Sequence, residues 1–300
     1  QRPDTFCSRL IMQDSPRSGI ILMVLSALCF SWADIGIKVW GENLSAWLVV
    51  AVRGLVGVTG VLATVRFNFR HFMVKQWPTQ ALLGSSSALG FLFFILSIKY
   101  LPLSLSMPLA YLYPTIAALL SPLINKEKTS RGDWLAISLA LGGVICFSQS
   151  SSGGASENLT LGLIFGLAGA FFVGLMTTLA RRLTKEAVPL NVNLFYLYFC
   201  NTAVCLPLVF LLDRPLLPPA GDLAKLVILI APISVFGFCL MFAAYRYINA
   251  HRGGTILMLE AAVASLYGLV MLGEPLTFSL VLGAGLMVTS ALIITRISGR

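Results

Sequence analysis

Few ionisable residues stand inside the apolar runs of this chain, and they set the chemistry open to it. Asp34 and Lys38 lie four residues apart in the first run, Arg53 lies in the second, and Glu260 lies in a late one. A charge at mid-bilayer costs about 2.5–3.5 kcal/mol on insertion scales, so each needs a partner, a wet cavity or a ligand. Glu260 and Tyr267 are spaced i, i+7, which puts carboxylate and phenol on one helical face where they would line one wall. Two readings of Glu260 stay open: a site that binds a cationic or amino group or loads a proton, and a hydrogen bond that ties two helices together. Asp34 and Lys38 are in the favourable i, i+4 order, and Lys38 is near enough to the end of its run to snorkel. An Asp34–Arg53 pair between adjacent antiparallel helices is the architectural reading of both. The functional reading has the two change partners as a cavity opens and closes. Tyr111 and Tyr113 stand among Pro102, Pro108, Pro114 and Pro122. Proline frees a backbone carbonyl, which lipid tolerates only beside protein or water, so this run faces the interior. On a regular helix the two tyrosines diverge, and an inward phenol there stacks on a ring or cation, or packs at a helix crossing.

Other chemistry is missing. The six cysteines include no C-x-x-C pair, and His71 and His251 are far apart, so neither a metal site nor a disulfide framework is expected. No phosphate-cradling glycine loop occurs, and no nucleophile–base constellation marks an enzyme. No cofactor is expected.

The elements that position these residues are membrane helices. Of 300 residues, 57% are hydrophobic and 11% charged, against about 25% charged in soluble domains. Such a chain cannot cover a water-facing surface, which excludes a soluble enzyme. The net charge of +9 suggests nucleic acid, but the basic residues sit in short connectors, not on one patch, so no nucleic-acid partner is expected. With about 20 residues per crossing, the sequence predicts ten spans: 19–39, 46–65, 81–98, 103–124, 134–149, 160–179, 190–212, 226–245, 254–272 and 277–295. The first run is too long, and too charged at Asp34 and Lys38, for a cleavable signal. A cytoplasmic N-terminus leaves sixteen basic residues on inner segments and four on outer ones, which predicts both termini inside. Glycines recur in several spans, among them Gly54, Gly57 and Gly60, Gly142 and Gly143, and Gly283 and Gly285. They read as close helix contacts, with a homodimer face as the alternative.

The halves repeat. A shift of 147 residues lays spans 4–5 on spans 9–10, matching Tyr100 with Tyr247, Leu112 with Leu259, and Glu127 with Glu274. Tyr113 thereby becomes the counterpart of Glu260. Five is odd, so the copies must be inverted, as in secondary transporters. The expected organisation is a tail (1–18), a first five-helix repeat (19–149), a linker (150–159) and a second repeat (160–300).

The stretches L-x-Y-P-T-I-A-A-L-L-S-P-L-I-N-K-E-K and M-L-E-A-A-V-A-S-L-Y-G-L-V-M-L-G-E-P-L-T resemble the EamA-type branch of the drug/metabolite transporter superfamily, and G-E-P-L-T at Gly273–Thr277 is the most specific piece. Ala33–Lys38 with Val52–Leu55 looks like a subset of that branch with an acid, a lysine and an arginine there. In such families the proline of Tyr113–Pro114 often recurs after the span-9 glutamate; here Ala261 stands in its place, a departure that bears on whether that span kinks. The resemblance implies an all-α bacterial inner-membrane carrier with spans 1, 3, 4, 6, 8 and 9 around a central cavity. Its partners would be lipid and a small organic solute such as an amino acid, amine, nucleobase-like compound or vitamin. Asp34, Arg53 and Glu260 together suit a zwitterionic or polar metabolite. A channel and a membrane scaffold are the competing classes.

Overall fold

In the computed structural model, which describes residues 16–40, 44–101, 106, 109–148, 158–212, 218–272 and 277–298, helices carry the architecture and no strand occurs among the described residues. In chain order they are α1 (Pro16–Trp40), α2 (Ala46–Thr64), α3 (Trp77–Tyr100), α4 (Tyr113–Ile124), α5 (Arg131–Ser148), α6 (Leu159–Lys185), α7 (Leu190–Leu212), α8 (Ala220–Ala244), α9 (Ala250–Leu257), α10 (Leu259–Leu272) and α11 (Phe278–Ser298). Among the described residues, α1, α2, α3, α6, α7 and α8 are long and apolar enough to cross a bilayer, and α4 and α11 are shorter apolar helices. Residues 150–157 of the expected linker, Glu274 of the repeated glutamate pair, Pro102 and Pro108 lie outside the described residues.

Local chemistry explains most boundaries. Ser45 caps α2, its hydroxyl accepting from Leu48 N–H at 3.1 Å. Pro114 sits in the first turn of α4, where its missing N–H costs nothing. Several boundaries differ from the sequence expectation, among them the end of α6, which runs on to Lys185 instead of Leu179. The eighth span begins at Ala220 instead of Leu226, because Leu226–Ile230 continues the helix in a π register. Pro232 closes that stretch with no N–H to donate, and the wider turn absorbs the missing bond. The ninth span is interrupted at Met258, although Ala261 occupies the place of the second proline. Its repeat counterpart, span 4, is interrupted by the turn at Tyr111–Leu112 just before α4. Both breaks therefore fall at matched positions of the repeat.

The packing pattern is self-similar. α1 lies against α8 as α3 lies against α6; α4 packs on α6 as α9 and α10 pack on α1; α2 pairs with α7, and α5 with α11. For these pairings, advancing every span number by five, cyclically, returns the same set of partners.

Close packing fixes α2. Gly57 faces the buried ring of Tyr198 on α7, and any Cβ there would fall inside the ring's van der Waals surface. Gly54 meets Thr202 in the same way, whereas Gly60 and Gly285 have nothing within 4 Å and do not mark contacts within the chain. Gly57→Ala is therefore expected to destabilise the detergent-solubilised protein by about 1–3 kcal/mol through overpacking. Gly60→Ala should leave the melting temperature unchanged or slightly raised. Equal melting of the two variants would show that the α2–α7 contact is looser than described.

Candidate functional site

A central cavity of about 850 Å³ runs between the halves. Its walls come from the spans the family resemblance implied, with Val49 and Arg53 added by α2 and Val144 by α5. Ile37, Val49 and Leu226 line it toward the end where α1 finishes and α2 begins; Met176 and Leu257 line it toward the other.

Asp34, Arg53, Tyr111, Tyr113 and Glu260 all line this one volume. Asp34 is accessible from it, and Glu260 is half-buried in the first turn of α10, where a carboxylate suits the positive end of the helix dipole. The Asp34 and Glu260 carboxyl groups lie within hydrogen-bonding reach of each other. The break in span 9 is satisfied from its neighbours. Ser31 Oγ lies 2.8 Å from both Ala27 O and Glu260 O, and Tyr113 Oη donates to Gly254 O at 3.0 Å. Tyr113 thus meets the ninth span through its hydroxyl while its ring lies on the cavity wall.

Arg53 is held differently from the expected pair with Asp34: among the described residues, no carboxylate lies within ion-pair distance of it. Phe91 stacks on its guanidinium at 4.5 Å and Phe238 lies 5.2 Å away. Nη1 donates to Ser234 Oγ at 3.5 Å, and Nη2 is buried without a partner. Phe238 is fixed edge-on by Phe30 at 4.8 Å and by Tyr198 at 6.0 Å. Two ring faces supply about 0.5–2 kcal/mol each, which offsets part of the cost of a buried cation and leaves its hydrogen-bonding capacity free. Tyr267 is not on the cavity wall; it packs edge-on against Trp32 at 5.8 Å. Seven residues carry it about 10 Å along the axis from Glu260, past the cavity. Lys38 is on α1 one turn beyond Asp34, and its side chain lies outside the described residues.

Two polar clusters lie at the end beyond Met176 and Leu257. Glu127 bonds Arg181 Nε at 2.9 Å and Lys185 Nζ at 3.4 Å, while Arg181 Nη1 donates to the carbonyls of Tyr245 and Arg246 at 2.6 and 2.9 Å. Asp133, fully buried, accepts from Arg252 Nε at 2.8 Å and Nη2 at 3.3 Å, and His251 Nε2 stands 3.4 Å away. Ser130 and Asp133 cap α5 reciprocally: Ser130 N–H and Oγ donate to Asp133 Oδ2 at 2.8 Å, and Asp133 N–H donates to Ser130 Oγ at 3.1 Å.

A cavity among apolar helices, carrying charged side chains on its wall, invites comparison with known carriers. The model of the EamA-like transporter family matches residues 17–149 and again 160–296. The chain belongs to the EamA-like transporter family. It is thus a multi-pass protein of the bacterial inner membrane, with lipid and a small-molecule substrate as partners, and not an enzyme. An uncharacterized transporter of Archaeoglobus fulgidus is 25% identical over 283 residues, covering 93% of this chain and 97% of the relative. The pseudopaline exporter CntI of Pseudomonas aeruginosa is 24% identical over 239 residues, covering 79% and 81%. A solved crystal structure superposes with a TM-score of 0.82 at 16% identity, covering 94% of this chain and 98% of the other, which establishes a shared fold.

Sequence reasoning did not pick out Asp133, His251, Arg252, Phe91 or Phe238 in this transporter. The S-x-x-D capping signature at Ser130–Asp133 was legible, but its partners come from α9. Removing Arg252 strips a bidentate partner from a buried carboxylate, and Arg252→Ala is expected to cost on the order of 3 kcal/mol. The Asp133→Asn/Arg252→Ala double variant should recover part of that loss. Thermal melts in detergent test this; a single variant that melts with the native protein would reduce the cluster to a weak surface contact.

Proposed function

We propose that this EamA-like transporter is a ten-helix secondary carrier that exports a small polar metabolite, such as an amino acid or related compound, by alternating access. Spans 4 and 9 complete the ten, each interrupted at its centre. Residues 19–149 and 160–300 form two inverted five-helix repeats joined by 150–159, with the 1–18 tail and the C-terminus cytoplasmic. The exchange of packing partners between halves supports the repeats, and the sixteen-to-four distribution of basic residues supports the orientation.

The observation that carries the proposal is the cavity: about 850 Å³, lined by Asp34, Arg53 and Glu260, with the salt bridges that join the two halves at one end only among the described residues. In the proposed orientation the clusters form a cytoplasmic gate, and the cavity faces outward. Asp34, Arg53, Glu260, Tyr111 and Tyr113 contact the solute, and a proton shared by Asp34 and Glu260 leaves when a positively charged group takes its place. The relative named as a pseudopaline exporter supports the outward direction. Uptake of a vitamin or nucleobase-like solute uses the same geometry in reverse, and a scaffold needs none of it.

Counterflow in proteoliposomes, with labelled amino acids, amines, nucleobases and flavins, tests the proposal beside Glu260→Gln. Saturable exchange of one solute class is expected, with Glu260→Gln reducing it about tenfold or more while the melt stays near native. Absence of exchange for every class, with the protein folded, would sink the carrier reading.

A further inference from the structure

Arg53 is a permanent cation on the cavity wall, and among the described residues no carboxylate lies within ion-pair distance of its guanidinium, although Asp34 and Glu260 act on it at longer range. The guanidinium lies over the rings of Phe91 and Phe238, and Phe30 and Tyr198 pack edge-on against Phe238 in turn. These contacts are aromatic and use no N–H donor. Of the five donors a guanidinium offers, one is engaged among the described residues, through the 3.5 Å contact to Ser234, and Nη2 is buried with no partner. The acids nearest to it in the cavity, Asp34 and Glu260, are engaged with each other. A buried cation left in this state is not a stabilising device, because an unpaired charge in a low-dielectric setting is costly. It is an oriented fork waiting for a counter-ion, and the group that matches a planar fork is a carboxylate.

We propose that Arg53, aligned by Phe91 and Phe238, is the carboxylate-binding subsite of the central cavity, so that the transported solute is an organic acid or zwitterion with an apolar body. The inference rests on the carrier reading above and adds the chemical group that the solute must carry. The remaining wall agrees. Phe30, Phe94 and Val173 present apolar surface, while the Asp34–Glu260 pair lies within the same volume to receive an ammonium group. A lysine would not serve equally well, since it offers a point charge without a fork and stacks less well on rings.

Matched solutes that differ only at the carboxylate test this: leucine with leucinamide, phenylalanine with phenylalaninamide, and benzoate with benzamide. Counterflow and thermal stabilisation are measured on the full chain in its native form and as Arg53→Gln, Arg53→Lys and Phe91→Leu. The expected result is that the acids exchange and stabilise while the amides do not. Arg53→Gln should weaken the acids about tenfold to a hundredfold, and Arg53→Lys should recover part of that loss. Phe91→Leu should weaken the acids with Arg53 intact. Amides that work as well as acids, or an acid preference that survives Arg53→Gln, would overturn the proposal. Exchange confined to amines, nucleobases or flavins would also overturn it while leaving the carrier standing. No exchange of any solute would remove both.

Discussion

A bilayer offers no hydrogen bonds, so every backbone group that leaves its helix inside the membrane must find a partner within the protein. The site depends on how this chain meets that constraint at the two breaks in spans 4 and 9. At Met258 the ninth span stops and restarts, and Ser31 from α1 and Tyr113 from α4 reach carbonyls on its two sides. Those bonds bring α1, α4 and α10 to one point, which places Asp34 and Glu260 in contact. Gly254 lets the Tyr113 ring approach, since a Cβ there would crowd both that ring and Pro114. The break is thus less a defect than the device that gathers the polar groups.

The same logic separates the two kinds of charge in the molecule. At the end beyond Met176 and Leu257, acids and bases pair with one another: Glu127 with Arg181 and Lys185, Asp133 with Arg252. These bonds join connectors and helix ends from both halves, so the halves cannot part there without breaking them. In the cavity, by contrast, Arg53 is supported by rings and the two acids by one another. Paired charges tie the two halves together at one end, whereas in the cavity Arg53 Nη2 is left without a partner.

Much of the helix plan was legible because hydrophobic run length is a strong local signal. The seventh helix, Leu190–Leu212, begins and ends where its apolar run does. The eighth does not, because the π stretch and the polar turn Ala220–Lys225 continue a helix that composition alone would stop. The break at Met258 was not legible either, since neither proline nor glycine stands at that residue and its partners come from other spans. Among the site residues, charge in an apolar run was enough to single out Asp34, Arg53 and Glu260. Tyr267 shows where periodicity fails: it fixes the face of a helix but not how far the cavity extends along it.

By itself, then, the sequence determined that the chain is a helical membrane protein of repeated halves, that it belongs with transporters, and which few charges needed explaining. These follow from composition, run length and spacing, which are local properties. The tertiary structure decided how the charges are used. Whether Arg53 meets Asp34 or two phenylalanines depends on the angles at which α2, α3 and α8 cross. Whether His251 and Arg252 are connector residues or part of a polar cluster depends on α9 lying against the start of α5. Such pairings join residues distant in the chain, and side-chain packing chooses among partners that the sequence leaves equal.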